Sequence, residues 1–311
     1  MILAGCGTAS TPTPTTKGSP GLANVAYAGS LQDVNNLYVG PAFEKATGNK
    51  YQGQGGGSFG VAQEIRSKTI APNVFESVGY APIQLLEPTQ TRWALAFAAS
   101  PLVVAYSPHS KFAPELTAIR RGQKPLKDLF TLMAEPGFHL GRTNPNTDPQ
   151  GQAFYMMVEL AAQKYGLSSS LPKKILGSVD NPHQVYSEEG ILTLLQSGGL
   201  DASSAFLSEA IERHLDYIRL PADLNFADPS QNNHYGQATV TLSNGTTVRG
   251  QALSIDITTV GKPTPAAVDF VKFVLGSHGE SLMQRQGYTT FGPIVLGSKA
   301  ALPSALASQS R

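Results

Sequence analysis

A polar loop that leads into a helix, at residues 141–151, has the chemistry of an anion-binding site. Asp148 stands where an N-cap is expected, and Pro149 takes the first helical position, where its missing N–H costs nothing. The next amides, of Gln150 and Gly151, then point their N–H groups out of the helix start. Because the helix dipole adds partial positive charge there, this terminus favours an anion. We expect the rest of the chain to build a closing cleft around it.

Two glycine–serine turns occur earlier in the chain. Ser30 and Ser58 each follow a glycine, between an apolar strand pattern and a helical pattern. This order of strand, turn and helix predicts a parallel α/β sheet whose ligand edge lies at the carboxyl ends of the strands. Each serine is either a ligand-binding hydroxyl or a plain N-cap, and one that faces the cleft serves both purposes.

The remaining patterns predict two lobes. Two apolar runs, 93–99 and 102–106, are separated only by a Ser-Pro pair, which suits an extended crossover from one lobe to the other. A second α/β set follows, with a hairpin at 240–248 that contains an Asn-Gly turn. The apolar segment 252–258 suits the return crossover. The predicted divisions are a tether at 1–22, a first lobe at 23–100 and 258–311, and a second lobe at 101–257.

The composition argues against two other classes of protein. Only 14% of the 311 residues are charged, the net charge is +1 and no basic run occurs, which argues against nucleic acid as a partner. The six histidines lack metal-binding spacing, one cysteine cannot form a cysteine-based zinc site, and the glycine-rich turn at 55–60 lacks the lysine of a P-loop. We therefore expect a binding protein and not an enzyme.

The single cysteine, Cys6, lies in Leu3-Ala4-Gly5-Cys6, which resembles the lipobox of bacterial lipoproteins. In that class the cysteine is acylated and becomes the first residue of the mature protein. A Ser/Thr/Pro tract at 8–16 follows, too polar to pack and typical of a tether, and no apolar run of about eighteen residues is present. We expect a lipid-anchored protein outside the cytoplasm; the alternative is a free cysteine in a frayed terminus.

Several motifs, taken in order, resemble the substrate-binding lipoproteins of molybdate/tungstate ABC importers, most closely the tungstate-type branch. The resemblance covers roughly residues 23–293. The segments that carry it are Ala26-Tyr27-Ala28-Gly29-Ser30-Leu31, Gly56-Gly57-Ser58, Trp93 with Phe97-Ala98, Gly141-Arg142-Thr143-Asn144-Pro145 with Asp148-Pro149, Leu194-Leu195-Gln196-Ser197-Gly198, Tyr217-Ile218-Arg219-Leu220-Pro221, Phe270-Val271-Lys272-Phe273-Val274-Leu275 and Gly287-Tyr288.

The resemblance implies a type II periplasmic-binding-protein fold, with two α/β lobes, two extended hinge crossovers and a ligand cleft between the lobes. It implies capture of a tetrahedral oxyanion, molybdate or tungstate, by hydroxyls and backbone amides, with no cofactor besides this ligand. The expected partner is an ABC permease in the membrane, and we expect a monomer. The residues that the resemblance places in the site are, from the first lobe, Gly29, Ser30, Gly57 and Ser58 and, from the second, Asn144, Asp148, Gln150, Glu188, Ser204, Ala205 and Phe206.

Three positions depart from the pattern of this family. The tungstate-type branch has a metal-coordinating glutamate at the position assigned to Ala205, simpler molybdate proteins offer a tyrosine hydroxyl at that of Phe206, and Asn144 replaces an aspartate. Asp148 is then either the surviving carboxylate ligand of the metal centre or an N-cap turned away from the anion. Arg142 either balances charge near the site or ties the loop to the sheet. Sulfate or another oxyanion, and a sensor with an altered site, are the alternatives to molybdate and tungstate.

Overall fold

The computed structural model describes residues 20–309, so Cys6 and nearly all of the predicted tether lie outside the described residues. The strands are β1 (Leu22–Ala28), β2 (Lys50–Gly56), β3 (Val74–Val78), β4 (Trp93–Ala99), β5 (Leu102–Tyr106), β6 (Leu140–Gly141), β7 (Ala202–Phe206), β8 (Asp216–Arg219), β9 (Thr239–Thr241), β10 (Thr247–Arg249), β11 (Ile255–Thr259) and β12 (Thr289–Gly297). The α-helices are α1 (Gly40–Thr47), α2 (Ser58–Arg66), α3 (Ala81–Gln84), α4 (Ala113–Arg120), α5 (Lys127–Met133), α6 (Pro149–Lys164), α7 (Leu171–Leu176), α8 (Glu188–Ser197), α9 (Leu207–Glu212), α10 (Asn232–Tyr235), α11 (Pro265–Leu275) and α12 (Ser277–Arg285). The shorter helical turns are Gly29–Leu31, Val34–Val39, Pro229–Gln231, Lys299–Ala301 and Ser304–Gln309.

The first lobe is built on a six-stranded sheet with the order β12-β4-β11-β3-β1-β2. β1 pairs in parallel with β2 and β3, as the strand–turn–helix pattern predicts. β11 pairs antiparallel with β3 and β4, and β12 pairs antiparallel with β4. The prediction of a parallel sheet is therefore wrong for this half of the sheet. The reason is that the chain returns from the second lobe at the cleft edge, so β11 begins where β3 and β4 end.

The second lobe is built on a four-stranded sheet with the order β6-β7-β5-β8. β5 pairs antiparallel with β7 and β8, and β6 pairs in parallel with β7. The helix α6 packs on this sheet next to α5 and α7, with most of its side chains buried. The apolar residues that cover the sheet therefore fix the position of the α6 start.

Two short extended segments connect the lobes. β4 ends at Ala99 and β5 begins at Leu102, so only Ser100 and Pro101 lie between the two sheets. The return crossover ends before Ile255, since all of β11 pairs within the first sheet, whereas the sequence placed the return near Thr258. Two lobes joined by short crossovers of this kind are suited to hinge closure around a ligand.

Two local predictions in the second lobe are confirmed. Asp148 is an extended N-cap whose Oδ1 accepts a hydrogen bond from Gln150 N at 2.8 Å, and Pro149 is the first residue of α6. The predicted hairpin is formed by β9 and β10, which pair antiparallel. Gly245 of the Asn-Gly pair has a φ of +83° in the connecting turn, a conformation that favours glycine.

Replacing Gly151 with alanine is expected to destabilise the second lobe. A Cβ at this position would lie 2.5 Å from the Thr143 carbonyl oxygen and 2.9 Å from Pro145 N, and neither backbone atom can rotate away. Overpacking of this kind costs about 1–3 kcal/mol. Gly60 in α2 is the matched control, because nothing lies within 4 Å of a Cβ there, and Gly60→Ala should stabilise by about 0.5–1 kcal/mol. Urea unfolding measures both variants, and equal effects would contradict the assigned contact.

Candidate functional site

The two lobes touch where the turns after β1 and β2 face the starts of α6 and α8. A Cβ on Gly29 would overlap the carboxylate of Glu188. Only glycine at this position therefore leaves space for the Glu188 side chain. A Cβ on Gly57 would lie 2.9 Å from the Thr147 carbonyl oxygen, and Phe59 N donates a hydrogen bond to that oxygen at 3.1 Å. The turns at Gly29 and Gly57 therefore meet Glu188 and Thr147 of the second lobe at one interface.

The first lobe contributes two buried serines to this interface. Ser30 is 4% exposed, and among residues 20–309 its Oγ has no hydrogen-bond partner. Its carbonyl oxygen accepts a hydrogen bond from the Tyr288 hydroxyl at 2.8 Å, which holds the turn in place. Ser58 Oγ accepts a hydrogen bond from Val78 N at 3.1 Å, so its own proton is left to donate. Ser58 Oγ thus has a proton free to donate, and the buried Ser30 hydroxyl has no hydrogen-bond partner within residues 20–309.

The second lobe contributes three buried carboxylates, those of Asp148, Glu188 and Glu209. The side-chain amide of Gln150 donates to Glu188 Oε1 at 3.1 Å and to Glu209 Oε2 at 2.9 Å. Glu209 Oε2 also accepts from Phe206 N at 2.6 Å, while Oε1 has no partner in the described part of the chain. Gly29, Ser30, Glu188 and Glu209 line one small cavity. Residues of both lobes therefore line a common space, and two of them, Ser30 and Glu209, carry an oxygen with no partner among residues 20–309.

Burial is the main cause of the raised pKa values in this cluster. It raises the pKa of Asp148 to about 6 and that of Glu209 to about 7. The pKa of Glu188 lies well above its usual range, first because of burial and then because of the charges of Glu209 and Asp148. Three carboxylates so close together in a dry site cannot all be ionised, so the cluster holds protons near neutral pH.

The nearest arginines pair elsewhere. Arg142 is fully buried and its Nη2 donates to the carbonyl oxygens of Ser178 at 2.7 Å and Val179 at 3.1 Å, so it ties the loop to neighbouring backbone. Arg213 Nε lies 2.9 Å from Asp33 Oδ2, an ion pair between the lobes at the rim of the cavity. Within residues 20–309, no lysine, arginine or histidine forms an ion pair with the three carboxylates.

Asp148 caps α6 with one oxygen and faces the other lobe with the second. Oδ1 accepts the hydrogen bond from Gln150 N, whereas a Cβ on Gly57 would lie 3.4 Å from Oδ2. The expectation that the Gln150 amide is free for an anion is not met, because the cap already accepts its N–H. The partial positive charge at the start of α6 therefore stabilises the Asp148 carboxylate of the protein itself.

Eight of the predicted residues do not line the cavity: Gly57, Ser58, Asp148 and Gln150, described above, and Asn144, Ser204, Ala205 and Phe206. Ser204 lies behind it, where its hydroxyl donates to Gln150 Oε1 at 2.8 Å. Asn144 Oδ1 accepts from Asn146 N at 3.0 Å and shapes the loop before α6. Ala205 and Phe206 pack within apolar clusters on the two faces of β7. Ala205 and Phe206, the two positions at which the sequence departs from the family pattern, are thus core residues.

Glu209 is the site residue that sequence reasoning missed. It lies in α9, a helix of 6 residues that the sequence patterns did not predict. Its carboxylate reaches back to the backbone N–H of Phe206, three residues earlier, as in one half of a capping box. The glutamate at the fourth position of Phe206-Leu207-Ser208-Glu209 is the one signal available, and it is weak because phenylalanine replaces the usual serine or threonine.

A larger cavity, of about 450 Å³, lies between the lobes on the other side of the α6 start. Its lining includes Phe59 and Leu85 from the first lobe and Pro149 and Gln152 from the second. The lining is mostly apolar, and Arg249 is its single charged residue among those described. Since an oxyanion needs several convergent donors, we assign the candidate site to the smaller cavity at Ser30 and Glu209.

Two further observations concern residues 20–309. None of their helices has the length and apolar character needed to cross a membrane. No three histidine, cysteine, aspartate or glutamate side chains in this range are grouped so that they could hold a metal ion.

A two-lobed α/β fold with paired crossovers, closed over buried hydroxyls and carboxylates, is typical of solute-binding proteins. Residues 23–289 match the family model described as bacterial extracellular solute-binding protein, and the chain belongs to this family. Membership places the protein outside the cytoplasm and among solute-binding proteins, not enzymes.

The relatives and solved structures agree with this assignment. The chain is 28% identical to the molybdate/tungstate-binding protein WtpA of Thermococcus kodakarensis, over 95% of this chain and 89% of the relative. It is 29% identical to a putative ABC transporter molybdenum-binding protein of Haloferax volcanii, over 86% of this chain and 81% of the relative. The Azotobacter vinelandii periplasmic molybdate-binding protein has a TM-score of 0.57 at 17% identity, covering 85% of this chain and 97% of that one. The sulfate-binding protein SubI from Mycobacterium tuberculosis has a TM-score of 0.53 at 12% identity, covering 93% and 89%. These two structures show the shared fold.

Proposed function

We propose that this protein is the solute-binding component of an ABC importer and captures molybdate or tungstate between its lobes. The observation that carries the proposal is the cluster at the interface, where Ser30 Oγ and Glu209 Oε1 are both buried without a partner in the described chain. Relatives named for molybdate and tungstate, aligned over most of the chain, support the same ligand class.

In the proposed complex, Ser30 and Ser58 donate hydrogen bonds to oxygens of the anion, together with the amides near Gly29 and Gly57. Each hydrogen bond to a charged acceptor contributes about 1.5–3 kcal/mol. Micromolar affinity needs about 8 kcal/mol, so a few such donors are sufficient. The anion therefore needs no arginine or lysine in the site and no resident cofactor.

The carboxylates of Asp148 and Glu209 complete the proposed site by adding oxygen ligands to the metal atom of the anion. In this proposal Glu209 supplies the glutamate that the family resemblance places at the position of Ala205. Asp148 keeps its capping bond through Oδ1 and uses Oδ2, the oxygen that faces Gly57. Coordination to a metal atom also removes the objection that a carboxylate beside an anion is repelled by it.

The proposed setting is the outer side of the cell membrane. Acylation of Cys6 would anchor a monomer there, and the tether would let the closed lobes reach a membrane permease. Globomycin treatment of expressing cells tests the anchor: the expected result is accumulation of the unprocessed precursor, and a Cys6→Ser variant that still partitions with membranes would contradict it.

Thermal unfolding with a panel of anions tests the ligand class. At one hundred times the dissociation constant, molybdate or tungstate should raise the unfolding free energy by about 2.7 kcal/mol. Sulfate, thiosulfate and phosphate are the other members of the panel. A response to sulfate alone would contradict carboxylate coordination, and no response to any member would contradict oxyanion transport altogether.

A further inference from the structure

Gln150 lies at the centre of the second-lobe half of the site, although its side chain faces protein on every side. It is 1% exposed and stands in the first turn of α6. Its carboxamide contacts three other elements: Ser204 in β7, Glu188 in α8 and Glu209 in α9. A neutral side chain therefore connects the elements that carry the acidic cluster.

The orientation of this carboxamide is set by Ser204. The Ser204 hydroxyl donates to Gln150 Oε1 at 2.8 Å, so the NH₂ group is directed to the opposite side. There its two N–H bonds are used once each, on Glu188 Oε1 at 3.1 Å and on Glu209 Oε2 at 2.9 Å. The amide nitrogen of Gln150 thus binds both carboxylates and fixes the distance between them.

The consequence for Glu209 is a difference between its two oxygens. Oε2 accepts from Gln150 and from Phe206 N, while Oε1 has no partner among residues 20–309. The carboxylate is held through one oxygen and presents the other. We propose that Gln150 is a positioning residue that makes the site selective for oxyanions whose central atom accepts further oxygen ligands, over sulfate. This inference rests on the proposed function.

Selectivity follows from the coordination chemistry of the anions. Molybdenum and tungsten in their oxyanions can expand from four to six oxygen ligands, so a well-placed carboxylate adds a bond. The sulfur of sulfate stays four-coordinate, and the serine hydroxyls and amides of the first lobe would supply its hydrogen bonds. Disordering Glu209 should therefore weaken binding of molybdate and tungstate but not binding of sulfate.

Gln150→Leu tests this role, with Gln152→Leu as the matched control. Gln152 lies in the same helix and is also buried, but its amide donates to the Pro145 carbonyl oxygen at 2.9 Å and not to a carboxylate. Isothermal titration with each anion should show molybdate and tungstate weakened about 10–100-fold in Gln150→Leu, the range for losing a group that orients a ligand. Sulfate affinity should stay within about twofold, and Gln152→Leu should leave the molybdate-to-sulfate ratio unchanged.

A double-mutant cycle separates positioning from general damage. If Gln150 acts through Glu209, Gln150→Leu should not change the anion ratio further in a Glu209→Gln background. Gln150→Met, which keeps the length of the side chain, should agree with Gln150→Leu. An unchanged ratio in both single variants, or effects that simply add in the double variant, would overturn the inference. A parent protein that binds no oxyanion would instead overturn the proposed function itself.

Discussion

Replacing Glu209 with glutamine is expected to weaken molybdate and tungstate binding by about 100-fold, which corresponds to roughly 2.7 kcal/mol. The variant keeps the shape of the side chain and an oxygen for the hydrogen bonds of Phe206 N and Gln150 Nε2. It removes the anionic oxygen that, in the proposed complex, binds the metal atom. Sulfate affinity should remain unchanged or rise, because a like charge is removed from the site.

Glu212→Gln is the control for this experiment. Glu212 lies in the same helix and borders the same cavity, and burial raises its pKa to about 9. It is therefore already neutral at pH 7, so its amide variant should bind all anions as the parent does. Isothermal titration at pH 7 measures both variants. Equal losses in the two variants, or a parallel loss of sulfate in Glu209→Gln, would contradict metal coordination by Glu209.

Replacing Asp256 with asparagine is expected to stabilise the protein at pH 8. Asp256 lies in β11 with 0% exposure, and within residues 20–309 no donor forms a hydrogen bond of normal geometry with either carboxylate oxygen. Burial raises its pKa from 3.8 to about 7, with the Ser254 side chain acting in the opposite direction. Above that pH an uncompensated charge is buried in the first lobe.

The sign of the pH effect follows from the raised pKa. The folded protein holds the Asp256 proton up to about pH 7, whereas the unfolded chain releases it near 3.8, so stability is lost as pH rises through this window. This pKa shift lowers the free energy of unfolding by roughly 4 kcal/mol once Asp256 is ionised. Asparagine avoids that loss, but its unpaired buried amide costs about 1–3 kcal/mol. We expect Asp256→Asn to exceed the parent by about 2 kcal/mol at pH 8 and to show no advantage at pH 4.

Urea unfolding at several pH values measures this difference. The exposed Glu135 is the control, since Glu135→Gln removes a surface charge and should show no such pH-dependent gain. Glu76, also buried with a pKa raised by burial to about 7, contributes in the same direction, so the parent itself should lose stability between pH 5 and pH 8. A variant that gains equally at every pH would contradict the assignment to a buried charge.

Local chemistry explains what was predictable in this protein. The Asp148–Pro149 start of α6, the turn at Gly29 and the paired strands β9 and β10 depend on residues close together in the chain, and all three are as predicted. The short crossover at Ser100 was predictable for the same reason, because a Ser-Pro pair between two apolar runs is too short to form another element.

The position of Glu209 and the surroundings of Ala205 depended on packing. β7 turns Ala205 into an apolar cluster and Ser204 towards Gln150, and a shift of one residue along a strand exchanges these faces. Glu209 reaches the site because α9 starts directly at the end of β7.

The sequence by itself therefore determined the parallel pairing of β1 with its neighbours, the short crossover after β4 and the capped start of α6, since each rests on local propensity and patterning. Only the tertiary structure decided that the Asp148 cap faces the first lobe and that a glutamate from α9 joins the site. These outcomes depend on which distant groups packing brings together, and at this interface burial leaves Ser30 Oγ and Glu209 Oε1 without a partner among residues 20–309.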